Sequence, residues 1–244
     1  MSIILVVILG AAKDLEIFSL RPVQGRNHET VAMDVVKLEP ESMDKILSEV
    51  ERILRSGGVV VVPTDTVYGL VGRADREEAI KKIFTIKKRP QEKAFPIFVK
   101  DIAAARKFAY ISDKKAKFLG KVWPGPVTVV FHHKEKLPGL LTGAKDTVGI
   151  RIPNSQFLLE LLARLKFPLV QTSANISDQP PAKNFKEVSR YFKNKKMQPN
   201  LIIEGGQAEG KASVVIDFTR NEPIVLRTGI VLKDELDSIF KSVE

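Results

Sequence analysis

Residues Ser42–Leu70 read SMDKILSEVERILRSGGVVVVPTDTVYGL, and their order decides the fold class. Met43, Ile46, Leu47, Val50, Ile53 and Leu54 recur at three- and four-residue steps, which places them on one face of a helix. Ser42 offers an N-cap and Gly57-Gly58 a stop. The β-branched run Val59–Val62 has the composition of a buried strand, and the hydroxyl-rich PTDTVYGL leaves it as a loop. Helix, strand and polar loop in that order begin an α/β protein.

The same alternation continues outward. REEAIKKIFTIKKR, residues 76–89, reads as a helix ended by Pro90, and AFPIFV as a strand. Helices are expected at DIAAARKFA, SDKKAKFLGKVW, SQFLLELLARLK and NFKEVSRYF. Strands are expected at GPVTVVFHH, DTVGIRIP, FPLVQTSA, NLIIEGG, ASVVIDF and PIVLRTG. Strands adjacent in the chain, within Trp123–Arg151 and again near the C-terminus, point to a mixed sheet and not a fully parallel one.

The chain has 244 residues, 44% of them hydrophobic, enough to bury a core without staples. Its start, MSIILVVILG, is too short to span a bilayer and lacks the basic flank of an export signal. Residues 1–32 are expected to form an N-terminal extension, and residues 33–244 one domain. No cysteine is present, which excludes disulfides, thiolate chemistry and sulfur metal sites, and suits a cytoplasmic protein. The net charge of +10 favours anionic partners.

Two stretches imitate familiar sites. GGQAEGKAS, Gly205–Ser213, has the glycines and lysine of a phosphate loop. However, Ala212 has no hydroxyl for magnesium, and the following VVIDF reads as a strand where a helix is needed. His132 and His133 are neighbours on a strand and point to opposite faces, so they do not share a metal.

What remains is a set of cations and hydroxyls at strand ends, where ligand crevices form in open α/β sheets. These are Thr64 and Thr66, then Lys87, Arg89 and Lys93, then Arg151, Ser173, Asn175, Ser213 and Arg227. Lys87 and Arg89 are expected near the surface. A polyanion suits such a lining.

PTDTVYGL, KKRP with a following lysine, WPGPVT, VGIRIP, TSANIS, SVVIDF and LRTG occur in the order seen in the YrdC/Sua5 family, which the chain resembles from about Val35 to Ile230. The resemblance implies a twisted, open mixed sheet flanked by helices, with a concave basic cavity. It further implies synthesis of threonylcarbamoyladenylate from L-threonine, bicarbonate and ATP, with release of pyrophosphate and with Mg2+ carried on the ATP phosphates. A downstream threonylcarbamoyl transferase would use the product on tRNA, and tRNA or double-stranded RNA is a further expected partner.

By the same resemblance Lys87 and Arg89 are catalytic and face the ATP phosphates, with Lys93 beside them. Thr147, Ser173, Asn175, Pro181 and Arg227 belong to the nucleotide, and Thr66, Arg151 and Ser213 to threonine. The chain departs from the family pattern at Phe98, Gln171, Asp178 and Thr228. These departures bear on threonine selectivity more than on the phosphates. Two other functions remain open: a non-catalytic RNA-binding module of this fold, and a carbamoyl-adenylate enzyme with another substrate.

Overall fold

Among the described residues, ten strands form one sheet. The computed structural model describes residues 34–220 and 222–231 and, in a C-terminal helical turn, Leu236, Ser238 and Phe240. The expected extension, residues 1–32, lies outside the described residues.

The left half of the sheet contains β1 (Asp34–Lys37), β8 (Leu201–Glu204), β2 (Val60–Val62) and β3 (Gly69–Arg73). The right half contains β7 (Leu169–Ser173), β4 (Ile97–Phe98), β6 (Thr147–Arg151), β5 (Val127–His132), β9 (Val214–Asp217) and β10 (Ile224–Arg227). β8 runs parallel to β1 and β2, β4 to β6, and β5 to β9. The remaining pairs are antiparallel, so the expected mixed open sheet is borne out.

β3 is not legible in the sequence, because Gly69 and Gly72 interrupt what would otherwise look like a strand. Packing explains both glycines. A methyl group on Gly72 would meet Ile83 Cδ1 at 3.3 Å and Ala79 Cβ at 3.4 Å, both on helix α2 (Glu77–Lys87). One on Gly69 would lie 3.3 Å from Thr64 Cγ2.

Helix α1 (Met43–Arg55) buries Ile46, Leu47, Val50, Ile53 and Leu54, the stripe that the spacing predicts. Ser42 occupies the N-cap position, but its hydroxyl bonds backward to the Glu39 carbonyl and not into the helix. Helix α6 (Gln156–Arg164) joins α1 over Val60, Val62, Val71, Phe98 and Leu169. The other face is covered by α2, α3 (Ile102–Phe108), α4 (Asp113–Val122), α5 (Gly139–Thr142) and α7 (Phe185–Phe192), packed on Val61, Leu70, Ile97, Val129, Ile150, Val170 and Ile216.

This distribution leaves a gap. On the α1/α6 face, α6 reaches only the Phe98 end of β4 and the Leu169 end of β7, and no other helix among the described residues joins the apolar cluster on the right half of that face. Burial alternates there with period two: in β6 Thr147 and Gly149 are half-buried while Val148 and Ile150 are buried, and in β7 Gln171 and Ser173 are half-buried while Val170 and Thr172 are buried.

Candidate active site

The floor of this uncovered face is a row of small or flat side chains. Gln171 N donates to the Pro96 carbonyl, Pro96 abuts Gly149, and Gly149 pairs with Val130. A methyl group on Gly149 would sit 3.2 Å from both Pro96 Cβ and Thr128 Cγ2, so glycine keeps the floor low. The Gln171 side-chain amide stands on this row without a hydrogen-bond partner among the described residues.

At one end of the floor Lys87, in the last turn of α2, reaches the end of β7. Its Nζ donates to the Ser173 carbonyl at 2.7 Å, the Asn175 carbonyl at 2.9 Å and Asn175 Oδ1 at 2.8 Å. Ser173 Oγ donates to the same Oδ1 at 2.7 Å, and Asn175 Nδ2 donates to the Gln179 carbonyl. Burial, reinforced by the nearby Arg89 guanidinium, lowers the Lys87 amine to about 7.

Arg89 turns back on its own loop. Its Nε donates to the Lys93 carbonyl and its Nη2 to that of Ala94, with the guanidinium 4.8 Å from the centre of the Phe95 ring. Lys93 Nζ lies 3.9 Å from the carboxylate of Asp178. Thr147 begins β6 on the floor itself, opposite His132. Pro181 belongs to a segment tied down where Ala182 donates to the Ala174 carbonyl and accepts from Tyr68 N.

At the other end Arg151 holds the PTDT loop. Its Nη2 meets Asp65 Oδ1 at 2.5 Å, its Nη1 donates to Thr66 Oγ1 at 3.2 Å, and its Nε donates to the Gly125 carbonyl. Thr64 spends its single hydroxyl proton on the Val67 carbonyl, so in the 2.9 Å pair Thr66 must donate to Thr64. The orientation therefore runs from Arg151 through Thr66 to Thr64. Burial lowers the pKa of Arg151, and the Asp65 carboxylate opposes that effect.

Beside Arg151 lies a second hydroxyl pair, Thr128 Oγ1 with Ser213 Oγ at 3.0 Å. Arg227 Nη2 donates to both the carbonyl and the hydroxyl of Ser213. Gly229, which closes LRTG, is forced by crowding, since a methyl group there would fall 2.4 Å from the Ala212 carbonyl oxygen.

The register relates the two ends. Leu169, Phe98 and Arg151 share one row of the sheet, four residues along β7 from Ser173. That separates the groups by about 13 Å along the strands and about 10 Å across them.

Two expectations need correction. Lys87 is not near the surface: only 1% of it is exposed, and all three ammonium donors are used internally. Nor is the site a crevice beyond strand ends. Ser173 and Thr147 lie at one end of the strands and Arg151, Ser213 and Arg227 at the other, so in this mixed sheet the candidate groups are joined by a face. Sequence pattern does not single out Asp65, which pairs with Arg151, or Thr128, which bonds Ser213 and whose outward place is not separable from its apolar neighbours by pattern alone.

The decoys fall away for structural reasons. Gly205–Ser213 is an irregular segment joining β8 to β9 in opposite halves of the sheet, with Gly210 N bonded to the Thr66 carbonyl along the rim of the site. His132 pairs with Asp146, and His133 bonds to Lys145 O and Glu135 N. Among the described residues no cluster of three His, Asp or Glu could hold a metal, and no helix is long and apolar enough to cross a membrane.

The family model for Sua5, YciO and YrdC, described as telomere recombination, matches residues 52–229. A threonylcarbamoyl-AMP synthase of Pyrococcus abyssi is 34% identical over 192 residues, which make up 78% of this chain and 56% of the relative. The chain thus spans little more than half the length of that protein. The crystal structure of P. abyssi Sua5 complexed with L-threonine superposes with a TM-score of 0.78 at 33% identity, over 84% of this chain and 60% of the other. E. coli YciO gives 0.72 at 25% identity, over 80% and 94%.

Proposed function

The chain belongs to the Sua5/YciO/YrdC family, and on that premise we propose that it is a threonylcarbamoyl-AMP synthase joining L-threonine, bicarbonate and ATP with release of pyrophosphate. The observation that supports this most is the convergence of side chains distant in sequence on one uncovered sheet face: Lys87, Ser173 and Asn175 at one end, Arg151, Thr66, Ser213 and Arg227 at the other.

All three reactants are anionic or carry an anionic group. Gathering them on one face requires cations that offset their mutual repulsion. In this reading Arg89, Lys93 and the turn held by Lys87 take the ATP phosphates, with Thr147, Pro181 and Arg227 along the nucleotide. The loop ordered by Arg151 takes threonine between Thr66 and Ser213. The threonine amine attacks the bicarbonate carbon, which loses its hydroxyl as water together with an amine proton to give the carbamate, and a carbamate oxygen then attacks the α-phosphorus, expelling pyrophosphate. Neither step needs a protein nucleophile, and none of the residues at this site stands out as one. Mg2+ would arrive on the ATP phosphates, where it would screen their charge; Asp178 beside Lys93 is a carboxylate at that end of the site. The adenylate would pass to a threonylcarbamoyl transferase acting on tRNA.

Mass-spectrometric detection of threonylcarbamoyladenylate after incubation with ATP, bicarbonate and threonine tests the reading. Pyrophosphate released in response to carbamoyl phosphate but not to threonine would reassign the substrate. Salt-sensitive RNA binding with no turnover would leave only a binding module.

Lys87 adds a pH signature. With an amine near 7 in the empty site, an arriving polyphosphate favours the charged form, so binding takes up a proton. Below about pH 6.5 the amine is already charged and the affinity is flat. Above pH 7 the affinity falls, by at most about tenfold per unit until the pKa of the complex is reached. Titration calorimetry of ATP in buffers of different ionisation enthalpy would register the uptake at pH 8, and Lys87→Met should abolish it.

Gln171 bears on selectivity. Its free amide on the floor suits a hydroxyl on the bound amino acid, because a donor left unpaired by an analogue lacking that hydroxyl is costly. Gln171→Leu is expected to lower the preference for threonine over valine, read as pyrophosphate release, by about tenfold or more. An unchanged ratio would remove Gln171 from substrate recognition.

A further inference from the structure

Asp178 stands out at the phosphate end because it is a carboxylate among cations and adopts a backbone conformation that suits glycine. Its φ is +64°, in the left-handed region where a side chain costs about 1 kcal/mol or more. Its carboxylate is 84% exposed, so burial does not hold it there. It lies 3.9 Å from Lys93 Nζ, and its charge opposes the lowering of the Arg89 pKa by burial. Arg89 is in turn close enough to Lys87 to depress its amine. The loop that carries Asp178 is the one fastened by Lys87: Ser177 N donates to the Lys87 carbonyl, and Asn175 Nδ2 to that of Gln179.

A carboxylate in this position opposes a bare polyphosphate, which it repels from Arg89 and Lys93. It does not oppose a polyphosphate that carries a divalent cation on the oxygens facing it. Among the described residues no set of three His, Asp or Glu could hold such a cation without the ligand. A single carboxylate beside the phosphates is sufficient for a metal that retains waters and phosphate oxygens.

We propose that Asp178 is a specificity-determining residue that makes this site select metal-bound polyphosphate over the free polyanion. In the empty site it serves as a counter-ion for Lys93 and Arg89, a pairing weak enough at an exposed position to be displaced. With the metal complex bound it faces the cation, directly or through a coordinated water. The inference rests on the reading that the Lys87, Arg89 and Lys93 end receives polyphosphate, and it adds which charge state is received.

The test is calorimetric and independent of turnover. Inorganic pyrophosphate is titrated into the full chain with EDTA and again with excess Mg2+, for the wild type, Asp178→Asn and Asp178→Gly. Asparagine retains the shape and tolerates the left-handed backbone, and glycine relieves it, so the two variants differ in strain and share the loss of charge. In both, free pyrophosphate is expected to bind several-fold tighter and the magnesium complex several-fold weaker than in the wild type. Their ratio should fall by about tenfold, the scale of one charge pair near 4 Å at a wet surface.

A ratio unchanged in Asp178→Asn, or both forms tightened alike, would overturn the proposal and leave Asp178 a simple counter-ion. If only Asp178→Gly shifts the ratio, backbone strain and not charge is responsible, which also overturns it. Should the wild type bind pyrophosphate in neither condition, the polyphosphate reading fails, and this inference fails with it.

Discussion

Replacing Lys87 with alanine is expected to lower threonine-dependent pyrophosphate release by at least a hundredfold, the usual scale for losing one preorganised group that offsets transition-state charge. The structure gives a second reason for a large effect. The three donors of Lys87 converge on two carbonyls and Asn175 Oδ1, so its removal frees the Ser173–Asn175 turn as well as removing a cation. Buried acceptors left without donors cost about 1–3 kcal/mol each, so this variant should also melt several degrees lower. Lys87→Arg separates charge from geometry. A planar guanidinium cannot aim at three acceptors clustered around one point, so it should be nearly as inactive as alanine. Recovery of activity in Lys87→Arg would instead mean that positive charge alone suffices.

Arg151→Ala should have the largest effect on stability. Arg151 and Asp65 are a buried pair, 2% and 11% exposed, and the arginine also bonds Thr66 and the Gly125 carbonyl. Removing one partner of such a pair typically costs about 3–5 kcal/mol, because the other charge is left desolvated. For a domain of this size that lowers the melting temperature by roughly 10 °C. Combining Arg151→Met with Asp65→Leu removes both charges and should recover most of the stability. Threonine-dependent turnover should stay lost in the double variant, since the ordered loop and its Thr66 hydroxyl would be gone. If the stabilised double variant turned over normally, Arg151 would be structural only.

Much of the architecture could be read from local pattern. The stripe of α1, the stop at Gly57, whose φ is +80°, and the β-branched run of β2 are where expected. The elements that escaped are those whose residues answer to neighbours and not to their own conformational preferences. β3 is a strand with two glycines because α2 and Thr64 press on it. β8 and β9 are consecutive strands in the chain yet lie in opposite halves of the sheet, a separation that no spacing between them encodes.

The site divides the same way. Residue type and motif order single out Lys87, Ser173, Asn175, Arg151 and Arg227 as candidates, because anion chemistry restricts which side chains can serve, and the structure joins Lys87, Ser173 and Asn175 in one hydrogen-bonded cluster. Distances along the chain did not reveal that Lys87 would be buried, that Asp178 would stand beside Lys93, or that Asp65 would anchor Arg151. An α/β class and a set of donors suited to a polyanion follow from local pattern, since periodicity and chemical type are local properties. Tertiary contacts settle what local pattern does not: these candidate groups line one sheet face because strand order and helix placement, both set by contacts between residues far apart in the chain, determine which side of a sheet is left open.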